Sequence, residues 1–295
     1  MKIGLALGGG GARGSAHIRV LLALERLGIR PSLITGTSIG GMVGALVAAG
    51  LSTDDMIDFF RQLTVGSVYG LPGGANALST NGKIRKMLEQ VIGDPSFADL
   101  SIPLAVVTTD LVSRREVILD EGSVIDAVLA TIALPIVFPA LKREKQVLVD
   151  GGLLNNVPFD IARARGATYV IAVSLANAAP YGTPVEDHAP LPDVLSRALA
   201  FTRRRPFLQI LSAMYDIWTD VTLRTRLAIS QPDILLEPEL GTIGIFDTHR
   251  MDEGLLAGRL ALQAIEPVLL AKLINPEVPI KDHTHVIPQD KRRTT

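Results

Sequence analysis

Residues 33–50, LITGTSIGGMVGALVAAG, set Ser38 between two glycines, behind a short apolar run and ahead of a stretch of small apolar residues. The pattern reads as strand, tight turn, helix: residues 33–37 form the strand, and residues 39–49 are apolar on nearly every face, so their helix is buried. Gly36-Thr37-Ser38-Ile39-Gly40 fits G-x-S-x-G, which a chain of this composition matches by chance about 0.1 times. Context decides more than the motif. A strand before the serine and a buried helix after it make a nucleophile elbow, in which Gly36 and Gly40 remove side chains that would clash in so sharp a turn. The helix N-terminus then aims free N–H groups at the serine oxygen. An ordinary βα turn whose serine caps the helix uses the same residue types.

Working outward, residues 2–7 read as a strand that ends in four glycines, and residues 13–27 as a helix closed by Gly28. Residues 53–63 and 81–92 are amphipathic helices, separated by the Gly/Pro-rich stretch 65–80, a candidate lid. Residues 103–109 and 116–120 read as strands, and Ser123 caps a helix to Ala133. A strand at 146–150 ends in Asp-Gly-Gly; a helix at 158–165 and the strand YVIAVSL follow. Strands alternating with helices imply βαβ units and a mostly parallel sheet. Residues 177–192 are a Pro/Ala/Gly-rich loop, and 191–229 are largely helical with a break at Arg203-Arg204-Arg205-Pro206. The strand DILLEP and a last helix at 251–273 come after it. That return to strand makes 177–230 a helical insertion within one domain of residues 1–275, with 276–295 a polar tail.

The apolar fraction is 47%, with 4% aromatic and 20% charged residues. A core filled by Gly, Ala, Leu, Ile and Val suits a parallel sheet under closely packed helices. The net charge of −1 lacks the basic excess that bulk nucleic-acid binding needs. With no cysteine, a disulfide framework, a zinc–thiolate site and thiol catalysis are excluded. The N-terminal apolar run breaks into glycines before a signal-peptide core forms, and no stretch offers about 18 uninterrupted apolar residues. The expected setting is cytoplasmic, with peripheral contact to a membrane face left open. No motif specifies an oligomeric state.

GGGGARG, residues 8–14, contains G-x-G-x-x-G at Gly9, Gly11 and Gly14. A dinucleotide fingerprint would want an acidic residue at the end of the second strand, where this chain has TGTS. A P-loop would want lysine after the last glycine, where Ser15 stands. As an oxyanion hole, the consecutive glycines let backbone N–H groups converge on one developing negative charge. That reading gains from Ser38, because strands one and two, joined by a short helix, put both loops at the carboxyl edge of one sheet.

Five histidines, His17, His188, His249, His283 and His285, are available to activate Ser38. His17 lies in the first helix, His188 in the linker and His283 and His285 in the tail, so His249 comes closest to the Ser38, Asp150, His249 order of the α/β-hydrolases, but that fold sets several strands before its elbow and this chain has one. Asp150 is the better base. It ends the strand QVLVD, and Gly151-Gly152 let the chain turn without shielding the carboxylate, so it can take the serine proton directly. Taken alone, an aspartate there more often caps the next turn or pairs with a residue such as Arg13.

ALGGGGARG, GTSIGG, LPIVFP and LVDGGLLNNVP together resemble the patatin-like phospholipases, in particular bacterial proteins related to the catalytic domain of neuropathy target esterase. The resemblance covers residues 2–175 and keeps the order and spacing of all three glycine motifs. It implies a three-layer α/β/α fold with a mostly parallel central sheet. It also implies a Ser-Asp dyad without histidine, Ser38 as nucleophile and Asp150 as proton acceptor, with an oxyanion hole from Gly9, Gly10 and Gly11. Arg13, Gly14, Gly36, Gly40, Gly151 and Gly152 match supporting positions, and Asn156 and Pro158 the signature after the aspartate. The implied substrate is an acyl lipid (lysophospholipid, phospholipid or another long-chain ester), with no metal and no cofactor. A non-catalytic lipid-binding protein of this fold, or a nucleotide-binding oxidoreductase, are the alternatives.

Asp110, at the end of VVTTD, reads as a turn-forming aspartate. Leu195, Leu199, Phe201, Phe207, Ile210, Leu211, Met214, Tyr215 and Trp218 repeat at helical spacing. They pack into the core, cover an acyl groove together with the 65–80 loop, or form a dimer interface.

Overall fold

The computed structural model describes residues 1–63, 81–176 and 205–274. The candidate lid, the linker, His188, His283, His285, Arg203, Arg204, Leu195, Leu199, Phe201, the Phe207 side chain and the polar tail lie outside the described residues.

Eight strands form one sheet: β1 (Ile3–Leu7), β2 (Leu33–Thr37), β3 (Leu104–Asp110), β4 (Arg115–Leu119), β5 (Leu141–Arg143), β6 (Gln146–Asp150), β7 (Tyr169–Val173) and β8 (Ile234–Leu236). The order β3-β2-β1-β7-β8 is parallel throughout, with β1 at its centre. β4, β5 and β6 run antiparallel at the β3 edge. Sequence reasoning anticipates the parallel core but not β5, whose three residues are half-exposed or exposed and carry no alternation.

The helices are α1 (Ser15–Arg26), α2 (Ile39–Ala48), α3 (Thr53–Gln62), α4 (Asn81–Ile92), α5 (Val124–Thr131), α6 (Phe159–Ala164), α7 (Arg205–Leu227) and α8 (Met251–Ile274). Strand periodicity sorts them into two layers. Ile3, Leu5 and Leu7 of β1 and Tyr169, Ile171 and Val173 of β7 face one core, shared with α1 to α5 and α8. Ala6, Val170 and Ala172 face the other, packed on Phe159 and Ala162 of α6 and Leu223 of α7. The result is helices, sheet, helices.

Helical periodicity places the start of the first helix at Arg13. Instead Gly11–Gly14 form a 3-10 turn, because Arg13 N–H donates to Gly10 O while Ala12 N–H is drawn off to Ile245 O at 2.8 Å. Ser123 caps α5, its hydroxyl accepting from Asp126 N–H. Thr248–Lys272 is long and apolar enough by composition to cross a membrane, with mean hydropathy 1.4. Here it packs as a helix on α1. Leu255, Leu262, Ile265 and Leu269 of α8 are buried, and a Cβ at Gly258 would lie 2.1 Å from Ala16 O.

The registers of β3 position everything that follows. Residues 104–107 of β3 pair with β2, and residues 108–110 pair with β6. β4 occupies the other side of β3 along residues 106–110, spanning the change of partner. So β6 takes up, antiparallel, the lane that β2 vacates. Thr37 stands opposite Val107 and Asp150 opposite Thr108, and the two strands finish end to end.

The turn after β2 runs just as close to β1. A Cβ added to Gly40 would sit 2.1 Å from the Leu7 carbonyl oxygen. Gly40→Ala is therefore expected to lower stability by roughly 1–3 kcal/mol through forced backbone shifts. A lower urea midpoint checks this, and an unchanged midpoint would mean that α2 does not approach β1 this closely.

Candidate active site

Ser38 occupies the turn between β2 and α2 with φ 54° and ψ −126°, a left-handed conformation that a non-glycine residue holds only where its surroundings enforce it. Its N–H donates to Thr131 Oγ1 at 2.7 Å, and the Thr131 hydroxyl in turn donates to Val107 O. Thr131 thus fastens the turn to β3 at the point where β2 ends. Gly36 allows the reversal, since a Cβ there would lie 2.6 Å from Gly41 N.

Asp150 meets Ser38 across the junction of β2 and β6. Ser38 Oγ donates to Asp150 Oδ2 at 2.6 Å, and Gly152 N–H donates to Asp150 Oδ1 at 2.8 Å. Gly151 is required by the same ledge: a Cβ on it would lie 2.3 Å from Val107 O. Asp150 is 1% exposed and Ser38 7%. Burial raises the Asp150 carboxyl to about 6, and the bonds from Ser38 and Gly152 pull it only partly back. Asp150 does cap the following turn, as its position alone suggests, and it faces the serine as well.

Its second alternative, pairing with Arg13, does not occur. Arg13 is buried and spans away from the carboxylate, donating to Ile243 O at 2.6 Å and to Leu175 O at 3.3 Å. It also grips Asp216 of α7 with two bonds of 2.5 and 2.8 Å. His249 is exposed in a short 3-10 turn, and no histidine bonds Asp150 among the described residues. His17 lies fully buried beneath the glycine loop, with Nε2 2.8 Å from Gly8 O. Burial lowers its pKa to about 4, so the ring is neutral at physiological pH and Nε2–H donates to that carbonyl. Asp110 folds back on its own turn, accepting from Val112 N–H, Ser113 N–H, the Ser113 hydroxyl and Val147 N–H. These bonds hold it down to about 2.

The glycine loop leaves β1 beside Ser38. Gly8 N–H donates to Val173 O and Gly9 N–H to Asn156 O at 3.1 Å. The N–H groups of Gly10 and Gly11 carry no hydrogen bond among the described residues. A Cβ on Gly9 would touch the Tyr215 hydroxyl at 2.5 Å and Ser38 Cβ at 3.1 Å, so only glycine brings this backbone so near the serine. The Asp150 carboxylate faces the same space, which a pyrophosphate would not share. Among the described residues no three His, Asp or Glu side chains converge as a metal site.

Ser38 and Asp150 open into an apolar cleft. Met42, Phe60, Leu63, Ile84, Ile132 and Phe138 line its walls. Of the expected groove lining, the 65–80 loop and residues 191–204 lie outside the described residues, and α7 contributes one side chain. Of α7, Tyr215 alone among the described residues lines the cleft, whereas Ile210, Met214 and Trp218 are exposed and Leu211 packs beside Tyr215. α2, α3 and α4 supply Met42, Phe60 and Ile84, and the segment that follows α5 supplies Ile132 and Phe138. One site residue escapes the sequence reading, Thr131, the one hydroxyl facing inward from apolar α5, and Tyr215 enters that reading only as an apolar position of α7, not through its hydroxyl.

The patatin-like phospholipase family model matches residues 5–163. An uncharacterized NTE family protein of Mycobacterium tuberculosis is 30% identical over 279 residues, covering 89% of this chain and 46% of that protein. Human patatin-like phospholipase domain-containing protein 6 is 36% identical over 183 residues, 59% of this chain and 13% of that one. The chain thus spans less than half the length of these relatives. Among solved structures, VipD from Legionella pneumophila aligns with TM-score 0.57 at 14% identity, over 89% of this chain and 67% of that one, a likeness of fold.

The raised pKa of Asp150 has a stability consequence. An aspartate held at about 6 when folded, against 3.8 as the ordinary value, binds its proton more tightly in the folded state. That stabilisation is complete below the ordinary value and is lost as pH rises through about 6. Asp150→Asn removes the charged form, so it should raise stability at pH 8 by something on the order of 1–3 kcal/mol and change it little at pH 4. Thermal unfolding at both pH values checks this; equal effects at both would mean that Asp150 is not desolvated.

Proposed function

Because this chain belongs to the patatin-like phospholipase family, we propose that it is a serine acyl hydrolase that cleaves long-chain acyl esters with a Ser38–Asp150 dyad. The observation that carries the reading is the 2.6 Å bond from Ser38 Oγ to Asp150 Oδ2 on the floor of an apolar cleft. In the first step Ser38 gives its proton to Asp150 Oδ2 as Oγ bonds the ester carbonyl carbon. The carbonyl oxygen becomes an oxyanion, held by the N–H groups of Gly10 and Gly11, while the N–H of Gly9 stays on Asn156 and fixes the loop. The carbon–oxygen bond to the leaving alcohol then breaks, and Asp150 returns the proton to that oxygen. Water repeats the cycle on the acyl-serine, releasing a fatty acid and restoring Ser38.

The carboxylate pKa near 6 suits this role, because a base is most effective when its pKa lies close to the working pH. The cleft walls fit an alkyl chain, and each methylene buried there contributes about 0.8 kcal/mol. Lysophospholipid, phospholipid and other long-chain acyl esters all present such a chain.

Ser38→Ala should abolish hydrolysis of p-nitrophenyl esters and labelling by a fluorophosphonate. In the wild type, kcat/KM should rise with pH through about 6 to a plateau, since only ionised Asp150 accepts the proton. A Ser38→Ala protein with wild-type turnover would refute the assignment. Across a C4-to-C16 ester series kcat/KM should climb up to several-fold per methylene until the cleft is filled. Phe138→Asp should flatten that climb while Ser38 still labels; a wild-type profile highest at C4 and falling with chain length would mean the cleft takes no acyl chain.

A further inference from the structure

α7 belongs to the segment that the sequence motifs leave without a role, yet three of its residues hold the loop that carries Gly10 and Gly11. The Ser212 hydroxyl accepts from Ile245 N–H at 3.3 Å, and Ile245 O accepts from Ala12 N–H at 2.8 Å. Asp216 takes both bonds from the Arg13 guanidinium. Tyr215, between them, donates its hydroxyl to Asn156 Oδ1 at 3.2 Å.

Asn156 brackets Gly9. Its backbone carbonyl accepts from Gly9 N–H at 3.1 Å, and its side-chain amide donates to Gly9 O at 3.5 Å. A carboxamide can sit either way round; the Gly9 carbonyl, which only accepts, draws the NH₂ toward itself, and the Tyr215 hydroxyl anchors Oδ1 from the other side. With that O–H donating to Oδ1, the Asn156 NH₂ must face the Gly9 carbonyl; turned round, two oxygens would face each other. Gly9 precedes the two free N–H groups, so its peptide orientation sets where they point. The phenol is buried, and burial beside Asp150 and Asp216 pushes its ionisation well above the usual value, so it remains a donor.

We propose that Tyr215 is a positioning residue of this site, acting through Asn156 to fix Gly9 and aim the Gly10 and Gly11 N–H groups at the oxyanion. The inference rests on the serine-hydrolase reading, and it assigns α7 a part in the machinery of that reaction. A displaced oxyanion loop still admits substrate but stabilises the transition state less, so the effect belongs in kcat and not in KM.

The test is Tyr215→Phe, which keeps the ring and removes the oxygen. With a long-chain p-nitrophenyl ester, kcat should fall about 10- to 100-fold, short of the roughly 10²–10³ of a lost donor. KM should stay within about twofold, Tm within about 3 °C, and the rate of fluorophosphonate labelling at Ser38 should fall with kcat. In an Asn156→Ala background Tyr215→Phe should cost much less than it does alone, the non-additivity expected of two groups acting as one unit, with the remainder coming from the phenol's own contact with Ser38. Should Tyr215→Phe not fold, Asp216→Asn, which loosens the neighbouring grip without changing side-chain volume, should lower kcat several-fold at constant KM. Wild-type kcat in Tyr215→Phe, or fully additive losses in the double variant, would overturn the proposal. A wild-type protein that neither turns over esters nor labels at Ser38 would overturn the hydrolase reading itself, and this inference with it.

Discussion

β3 outlasts β2, and the lane it keeps open beside itself is where this structure makes its site. Antiparallel β6 fills that lane from the opposite end, so Thr37 and Asp150 lie opposite consecutive β3 residues, Val107 and Thr108. Two chain ends that meet head-on cannot continue as strands. One turns through Ser38 into α2 and the other through Gly151 into a 3-10 turn, so Ser38, the first residue after β2, faces Asp150, the last residue of β6. The carbonyl of Val107 marks the spot. Thr131 donates to it, Gly151 packs flat against it, and the Ser38 turn hangs from Thr131. β1, next to β2, delivers the glycine loop to the same edge.

What the junction holds is unfavourable in isolation. Ser38 sits at positive φ, and Asp150 is desolvated enough that its carboxyl titrates near 6. Both are tolerated because the surroundings over-determine them: five parallel strands and two helical layers leave the turn no alternative path. A group that weakens the fold above pH 6 and is positioned to accept a proton there is the usual trade between stability and activity. His17 is a quieter case. Its buried ring gives up its charge to hold the Gly8 carbonyl from below.

Much of this arrangement was legible in the sequence, and for physical reasons. β1, β2 and β6 announce themselves as short apolar runs stopped by glycine, because only glycine lets Gly40 lie against Leu7 O or Gly151 against Val107 O. The elbow needs strand, small residues and buried helix in that order, which the residues around Ser38 spell out. What was not legible depends on contacts distant in sequence. Tyr215 reaches Asn156 across 59 residues and Asp216 reaches Arg13 across 203. Helical periodicity in 191–229 identifies apolar positions but not which of them turn inward, so core, groove and interface are equally compatible with it, and only the structure shows Tyr215 of α7 turned into the cleft. The 3-10 turn at Gly11–Gly14 depends likewise on Ile245, far along the chain.

The central claim is that Ser38, Asp150 and the Gly10–Gly11 backbone act on one reacting carbonyl, and the crystal structure of a long-chain alkyl phosphonate adduct tests it most directly. The account predicts phosphorus bonded to Ser38 Oγ, with the phosphoryl oxygen about 3 Å from the N–H groups of Gly10 and Gly11. The alkyl chain should run along Phe60 and Ile84. An adduct on another residue, or a phosphoryl oxygen turned away from both N–H groups, would contradict it.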